Sequence, residues 1–256
     1  MTVKPTQPRV YLLSSPSFDS KALDDFLRDR EAAWLPSGNA SDAEHIVEVA
    51  GRVCYMSFSG DPQKTRHPNN VYVKNLIDKG HESVLEHASW TFIIDQVSRS
   101  FTHQLVRHRV GFSYSQLSQQ YHDESYADVV VPAGMSDKTM ELWKDATTRA
   151  GNSYRELLQA LDADEDIGFE DKRLVRSAVR SILPNATQTT IAVTANARAI
   201  RGFMKSRGAI VGDIEMRLVC ARLLEIVSEN SPSLFSDIST EIHDDGWPIT
   251  RLRSST

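Results

Sequence analysis

Twice in this chain a β-prone apolar run gives way within a few residues to a cationic helical pattern. Ala88 to Ile94 (Ala-Ser-Trp-Thr-Phe-Ile-Ile) has strand composition, and Ser98 to His108 after it reads as a helix. Thr187 to Thr194 (Thr-Gln-Thr-Thr-Ile-Ala-Val-Thr) reads as a second strand, handing over to a helix from Asn196 to Ser206. Strands alternating with helices predict an α/β chain with a central sheet. Both helices lie in stretches without carboxylates. Ser98 to His122 carries +3 and Arg173 to Arg207 carries +7, in a chain of net charge −5, so the remainder carries −15. Cations concentrated in this way predict a focused anion site on an acidic protein, not a general nucleic-acid binder. Two solvated helix faces are the alternative.

The remaining pattern fills in the frame. Arg9 to Ser14 reads as an opening strand, and Ser41 to Met56 as an amphipathic helix capped by Ser41 or Asp42. Gly60 to Asn70 is a polar loop whose Gly60-Asp61-Pro62-Gln63-Lys64-Thr65 lacks the second glycine of a P-loop. Val71 to Lys79 is a short helix stopped by Gly80. Gly111 to Asp128 shows no period and is expected to be a long loop before a short strand at Val129 to Val131. Asp137 to Leu161 and Asp171 to Ile182, the latter closed by Pro184, predict a long helical arm. Asp213 to Ser228 is a last helix, and the tail after Ser231 reads as irregular. Without repeats or a clear linker, one domain over residues 1–256 is expected. No apolar run approaches the ~20 residues of a membrane span. The N-terminus lacks a signal-peptide core, so the expectation is a cytoplasmic protein. Cys54 and Cys220 make no disulfide framework and no Cys-x-x-Cys pair.

Five constellations could carry chemistry. Arg99, His103 and Arg107 share one helical stripe, and Arg107-His108-Arg109 sets two planar, bidentate donors around a histidine. Ser113, Ser115 and Ser118 alternate with Tyr and Gln, offering groups that hold a phosphate or a uracil edge. No Gly-x-Ser-x-Gly elbow marks a nucleophile, so binding is preferred to covalent catalysis for Ser118. Arg173, Arg176 and Arg180 form a helical stripe, with Arg180 just before Leu183-Pro184-Asn185. Asn196-Ala197-Arg198 stands where a strand becomes a helix, with Arg201 and Arg207 beyond; there N–H groups bind anions, or Asn196 simply caps. Gly80-His81-Glu82-Ser83-Val84-Leu85-Glu86-His87 lacks His-Glu-x-x-His spacing, and no metal is expected.

In this order these segments resemble the flavin-dependent thymidylate synthases (the ThyX family), from about Ala50 to about Ser228. The anchors are Gly80-His81 with Ser83 and Glu86-His87, Arg107-His108-Arg109 with the Ser-Gln-Leu-Ser loop, Leu183-Pro184-Asn185, Asn196-Ala197-Arg198, and Arg207 with Glu215. The resemblance implies an α/β fold and a homotetramer with shared active sites. It also implies bound FAD, NADPH as reductant and methylenetetrahydrofolate as carbon donor. By position it assigns Ser83, Arg107, His108, Arg109, Gln116, Asn196, Ala197 and Arg198 to the flavin. It assigns Gln104, Arg107, Gln116, Leu117, Ser118, Gln119, Gln120, Arg180 and Arg207 to the nucleotide. Arg207 would be catalytic, its guanidinium stabilising negative charge on the uracil ring.

The chain departs from the family pattern in three ways. Val110-Gly111 takes the place of one residue, so Ser118 follows the Arg-His-Arg tripeptide after eight residues, not seven. Gln120 stands where the family usually has Arg, and Gly202 and Val211 replace a polar residue and a histidine. The implied reaction is C5 methylation of dUMP. The same chemistry on UMP, which some family members use in nucleoside-antibiotic pathways, is the alternative. A non-catalytic nucleotide- or RNA-binding protein and a flavoprotein that only oxidises NADPH remain as further readings.

Overall fold

A computed structural model describes residues 3–5, 7–36, 38–58, 68–163 and 168–253. The mixed α/β expectation holds. Four strands, β2 (Arg9–Ser14), β3 (Ser89–Ser98), β4 (Phe112–Gln116) and β6 (Gln188–Asn196), form a sheet in the order β2-β3-β6-β4. β3 runs antiparallel to β6, since Thr91 hydrogen-bonds Thr194 at one end and Thr190 donates to Asp95 at the other. Alternation on β3 sends Trp90, Phe92 and Ile94 into the core, each at most 1% exposed.

The residues cluster into two compact units, each drawing on several chain segments. The first holds 1–9, 94–108 and 114–192. Here β1 (Val3–Pro5) pairs in parallel with β5 (Val129–Val131). Helix α4 (Arg99–Leu105) starts at Ser98, whose hydroxyl accepts from the Phe101 N–H. The expected helical arm is α5 (Asp137–Ala163) followed by α6 (Phe169–Val179), tied by Arg176 to Asp162 at 2.7 Å. A 3-10 turn, Arg180–Ile182, ends α6 ahead of Pro184.

The second unit holds 10–93, 109–113 and 193–256. It contains α1 (Ser20–Asp29), α2 (Asp42–Val53), α3 (Asn69–Asp78), α7 (Ala197–Arg207) and α8 (Ile214–Asn230). Ser41 caps α2 in a complete capping box with Glu44. Trp90 packs edge-on against Phe235.

The structure corrects two expectations. The presumed loop after Gly111 contains β4, in which Phe112, Tyr114 and Gln116 are half-buried while Ser113 and Ser115 face out. The tail after Ser231 forms a hairpin of β7 (Ile238–Ile242) and β8 (Pro248–Leu252). The hairpin is clasped by Arg217, which is fully buried and donates to both Asp245 oxygens and to the Trp247 and Pro248 carbonyls. Most of the expected polar loop, residues 60–67, lies outside the described residues. Among the described residues, no helix is long and apolar enough to cross a membrane.

Candidate functional site

Most of the residues assigned to the nucleotide lie in the first unit, between α4, β4 and the Arg180 turn. The end of α4 is stapled by Tyr114, whose hydroxyl lies 2.6 Å from the His108 carbonyl and 3.0 Å from that of Leu105. The Leu105 carbonyl also accepts from the His108 N–H at 3.0 Å, so the hydroxyl pins the turn that leaves α4. Burial pushes the Tyr114 phenol well above its usual range, keeping it a donor. Arg107, exposed, only reaches the Gln104 side chain at 3.4 Å, and His108 is half-buried.

The loop leaving β4 is held at successive residues. Gln116 Nε2 donates to Thr102 Oγ1 at 2.9 Å. Leu117 donates its N–H to the Thr190 carbonyl at 3.0 Å, and its carbonyl accepts from Arg99 Nη2 at 2.7 Å. The Ser118 hydroxyl accepts from the Gln120 N–H at 3.2 Å, closing a local turn. Gln119 and Gln120 line a small cavity of about 140 Å³ with His122, Tyr154, Asp162 and Arg176.

Charge in this unit is arranged around Arg99. Burial lowers its pKa, Glu124 at 3.4 Å raises it, and the field of Arg180 lowers it again. Glu124 is itself raised, chiefly by burial, against the opposing pull of Arg99 and His122. Arg180 is half-buried and within the field of a second guanidinium, the arrangement expected of an anion site. The stripe of Arg99, His103 and Arg107 does not act as one face: Arg99 turns inward, while His103 and Arg107 are exposed.

Most of the residues assigned to the flavin lie in the second unit. Asn196 caps α7, its side chain accepting from the Ala199 N–H at 2.9 Å, and the first turn of α7 carries no carboxylate. The Ala197 N–H donates to the Ala88 carbonyl at 2.8 Å. Ser83 is exposed on the Glu82–His87 3-10 helix, which is pinned to α7 by Arg198–Glu86 at 2.5 Å and Lys205–Glu82 at 2.9 Å. Arg198 is therefore already engaged.

Arg109 opens a tight turn closed by the Phe112 N–H on its carbonyl at 3.3 Å. Val110 is 83% exposed at the tip, and Gly111 has φ +73°, the pattern of a type II turn. A Cβ on Gly111 would stand 2.6 Å from Asn196 Nδ2 and 2.9 Å from the Ala199 Cβ. The extra residue is thus absorbed ahead of β4, against the cap of α7, and not in the loop around Ser118. Arg207, half-buried, ends α7. The next residue, Gly208, accepts at its carbonyl from the Thr250 N–H at 2.8 Å, so the C-terminal hairpin braces that end of the helix.

The cations from Arg173 to Arg207 divide between the two units, and most of them are paired. Arg173 pairs with Glu170, Arg176 with Asp162 and Arg201 with Asp237, besides the two pairs on the 3-10 helix. Sequence reading passed over Thr102, Tyr114 and Glu124. The period-two Phe112, Tyr114, Gln116 could have revealed β4 and with it Tyr114; nothing local marks Thr102 or Glu124.

Comparison with known proteins adds the family. The profile of the family described as thymidylate synthase complementing protein matches residues 38–233. Proteins named flavin-dependent thymidylate synthase from Mycobacterium avium and Mycobacterium tuberculosis are each 41% identical over 230 residues, covering 88% of this chain and 90% of theirs. The one from Corynebacterium diphtheriae is 40% identical over 218 residues, covering 83% of this chain and 86% of its own.

Proposed function

Since this chain belongs to the flavin-dependent thymidylate synthase family, we propose that it methylates C5 of a uridine monophosphate, with FAD bound, methylenetetrahydrofolate as carbon donor and NADPH as reductant. The observation that carries this reading is the donor set. Guanidiniums, carboxamides and a carboxylate-free helix N-terminus stand at the positions the family motif assigns, a chemistry that suits phosphates and imide rings.

The same donor set fits a flavin. Asn196, Ala197 and Ser83, with Arg107, His108, Arg109 and Gln116, would hold it; Arg198 would have to share itself with Glu86. Once bound, the flavin supplies the reducing equivalents that turn a transferred methylene into a methyl group. Arg180, in the field of Arg99, offers positive potential to the nucleotide phosphate. Ser118, Gln119 and Gln120 offer hydroxyl and amide groups to the sugar or phosphate, and Leu117, tied through its backbone, sets their path. Arg207, held at the braced end of α7, stabilises negative charge on the uracil ring and so polarises its C5–C6 bond. Assembly into a homotetramer with shared sites, in the cytoplasm, completes the reading.

UMP is the second reading, and Gln120 favours it. A carboxamide both donates and accepts, as a ribose 2′-hydroxyl requires, whereas a guanidinium only donates. The product, 5-methyl-UMP, would then serve nucleoside-antibiotic synthesis. Turnover of dUMP and UMP side by side, with FAD, NADPH and methylenetetrahydrofolate, tests both. Methylated product from either nucleotide is expected, and preference for UMP selects the second reading. A purified protein that neither carries nor takes up flavin would refute both.

A further inference from the structure

We infer that Thr102, on α4, sets the polarity of the Gln116 carboxamide, so that Gln116 meets its ligand with an acceptor oxygen matched to an imide N–H. The inference rests on the proposed placement of Gln116 against flavin or nucleotide. The Thr102 hydroxyl donates to the Arg99 carbonyl three residues back, at 3.1 Å, a common use of a threonine hydroxyl in a helix. A hydroxyl has a single proton to give. Towards Gln116 it can therefore only accept. The atom of Gln116 standing 2.9 Å from it must be Nε2, the donor. Thr189 Oγ1, 3.5 Å from the same nitrogen, lies on the same side. Gln116 Oε1 is left facing away from this pair of hydroxyls.

Thr102 is only 2% exposed, so water does not replace it as an acceptor. Its backbone is fixed at the first turn of α4, where the Arg99 and Ser100 N–H groups are clipped to the Thr187 and Asn185 carbonyls. The next residue after Gln116, Leu117, is held by Arg99 itself. One helical turn thus fixes both the position of Gln116 and which end of its amide points outward. An outward acceptor selects a ring N–H flanked by carbonyls, which uracil and the isoalloxazine of a flavin both carry. It disfavours cytosine, whose N3 is an acceptor. Thr102 is in this sense a positioning residue for specificity, acting through Gln116.

The test replaces Thr102 by Val, which keeps the shape and removes the hydroxyl, and by Ser, which restores it. FAD binding is followed by flavin absorbance, and binding of UMP, dUMP and CMP by calorimetry on the FAD-loaded protein. T102V is expected to weaken FAD or the uridine nucleotides about tenfold, to narrow the gap between UMP and CMP, and to raise KM more than it lowers kcat. T102S should return all three to the unaltered values. The arm that moves, flavin or nucleotide, identifies the imide Gln116 reads. If T102V does not fold, Thr102→Ala, a better helix former, carries the same measurements. A folded variant without the hydroxyl that binds FAD, UMP and CMP as the unaltered chain does would overturn the inference alone. An unaltered chain that binds neither FAD nor uridine nucleotide would overturn the functional reading beneath it.

Discussion

The neighbourhood of Gln116 and the neighbourhood of α7 solve the same problem with different materials. Around Gln116, a polar site is built from buried or half-buried hydrogen bonds: Thr102 to Gln116, Arg99 to Leu117, Tyr114 to the end of α4. Around the start of α7 the side-chain contacts are exposed ion pairs. Arg198 and Glu86 are 47% and 42% exposed, and precision comes from the backbone, through the Asn196 cap and the Gly111 turn. Buried hydrogen bonds fix orientation because losing one strands a desolvated partner. Exposed ion pairs fix little because water and salt compete. The residues proposed for the nucleotide around Gln116 should therefore be sensitive to single atoms, and those proposed for the flavin around α7 to backbone shape.

Five substitutions bear on that contrast. The largest effect is expected from Gly111→Val. A β-branched residue at φ +73°, with its Cβ against Asn196, should cost about 3 kcal/mol of stability. Flavin affinity should fall further than nucleotide affinity, as measured by thermal unfolding and flavin titration. Equal losses for both ligands would blur the contrast.

Tyr114→Phe comes next. It strips the hydroxyl from the Leu105 and His108 carbonyls and should destabilise the chain by about 1–2 kcal/mol. The KM for nucleotide should rise with it, as denaturant titration and steady-state kinetics would show. An unchanged KM would mean that the staple does not reach the site.

Glu86→Gln and Arg198→Gln sharpen the other side. Each breaks an exposed pair, and the stability change should stay within about 1 kcal/mol and fade with added salt. Flavin binding separates them: Glu86→Gln leaves Arg198 only the 3.9 Å contact to Glu82 and should tighten FAD, while Arg198→Gln should weaken it. Parallel effects would remove Arg198 from the flavin set.

The smallest effect is a pH signature of opposite sign in the two units. The folded pKa of Glu124 is raised, chiefly by burial. Its contribution to stability is full below the unfolded value of about 4.3 and is lost as pH rises through the folded value. Asp237 is the reverse. Burial pushes it up, but hydrogen bonds and charge from Arg201 outweigh burial and leave it lowered. Its contribution is present above the unfolded value of about 3.9 and is lost as pH falls through the folded value. Glu124→Gln should remove only the first component from denaturation curves taken across pH. Because Gln mimics the protonated acid, the decline of stability with rising pH should vanish in that variant, and an unchanged decline would contradict the assignment.

What the sequence made legible follows the same division. Local signals were readable: the Ser41 capping box, the Asn196 cap, the alternation of β3 and the long pattern of α5 all appear where spacing puts them. The tripeptide Arg107-His108-Arg109 and the Ser118 loop pointed to the family, because motif order survives without any knowledge of contacts. Interactions between distant segments were not readable. Arg217 finds Asp245 and Gln116 finds Thr189 across dozens of residues. Strand β4 was hidden because its inward positions are two aromatics and a glutamine among serines, a weak apolar signal. By count, the extra residue shows only as a longer interval between the Arg-His-Arg tripeptide and Ser118. Its place in a glycine turn on α7 depends on a contact with Asn196 that no spacing shows.

The most direct test of the functional account follows one carbon. FAD-loaded protein is given NADPH, methylenetetrahydrofolate labelled with ¹³C in its methylene group, and UMP or dUMP, and the nucleotide is analysed by NMR. The account predicts a labelled methyl group on C5 of at least one of the two nucleotides, dependent on added flavin and lost in Arg207→Ala. Oxidation of NADPH with no label on either nucleotide would contradict it.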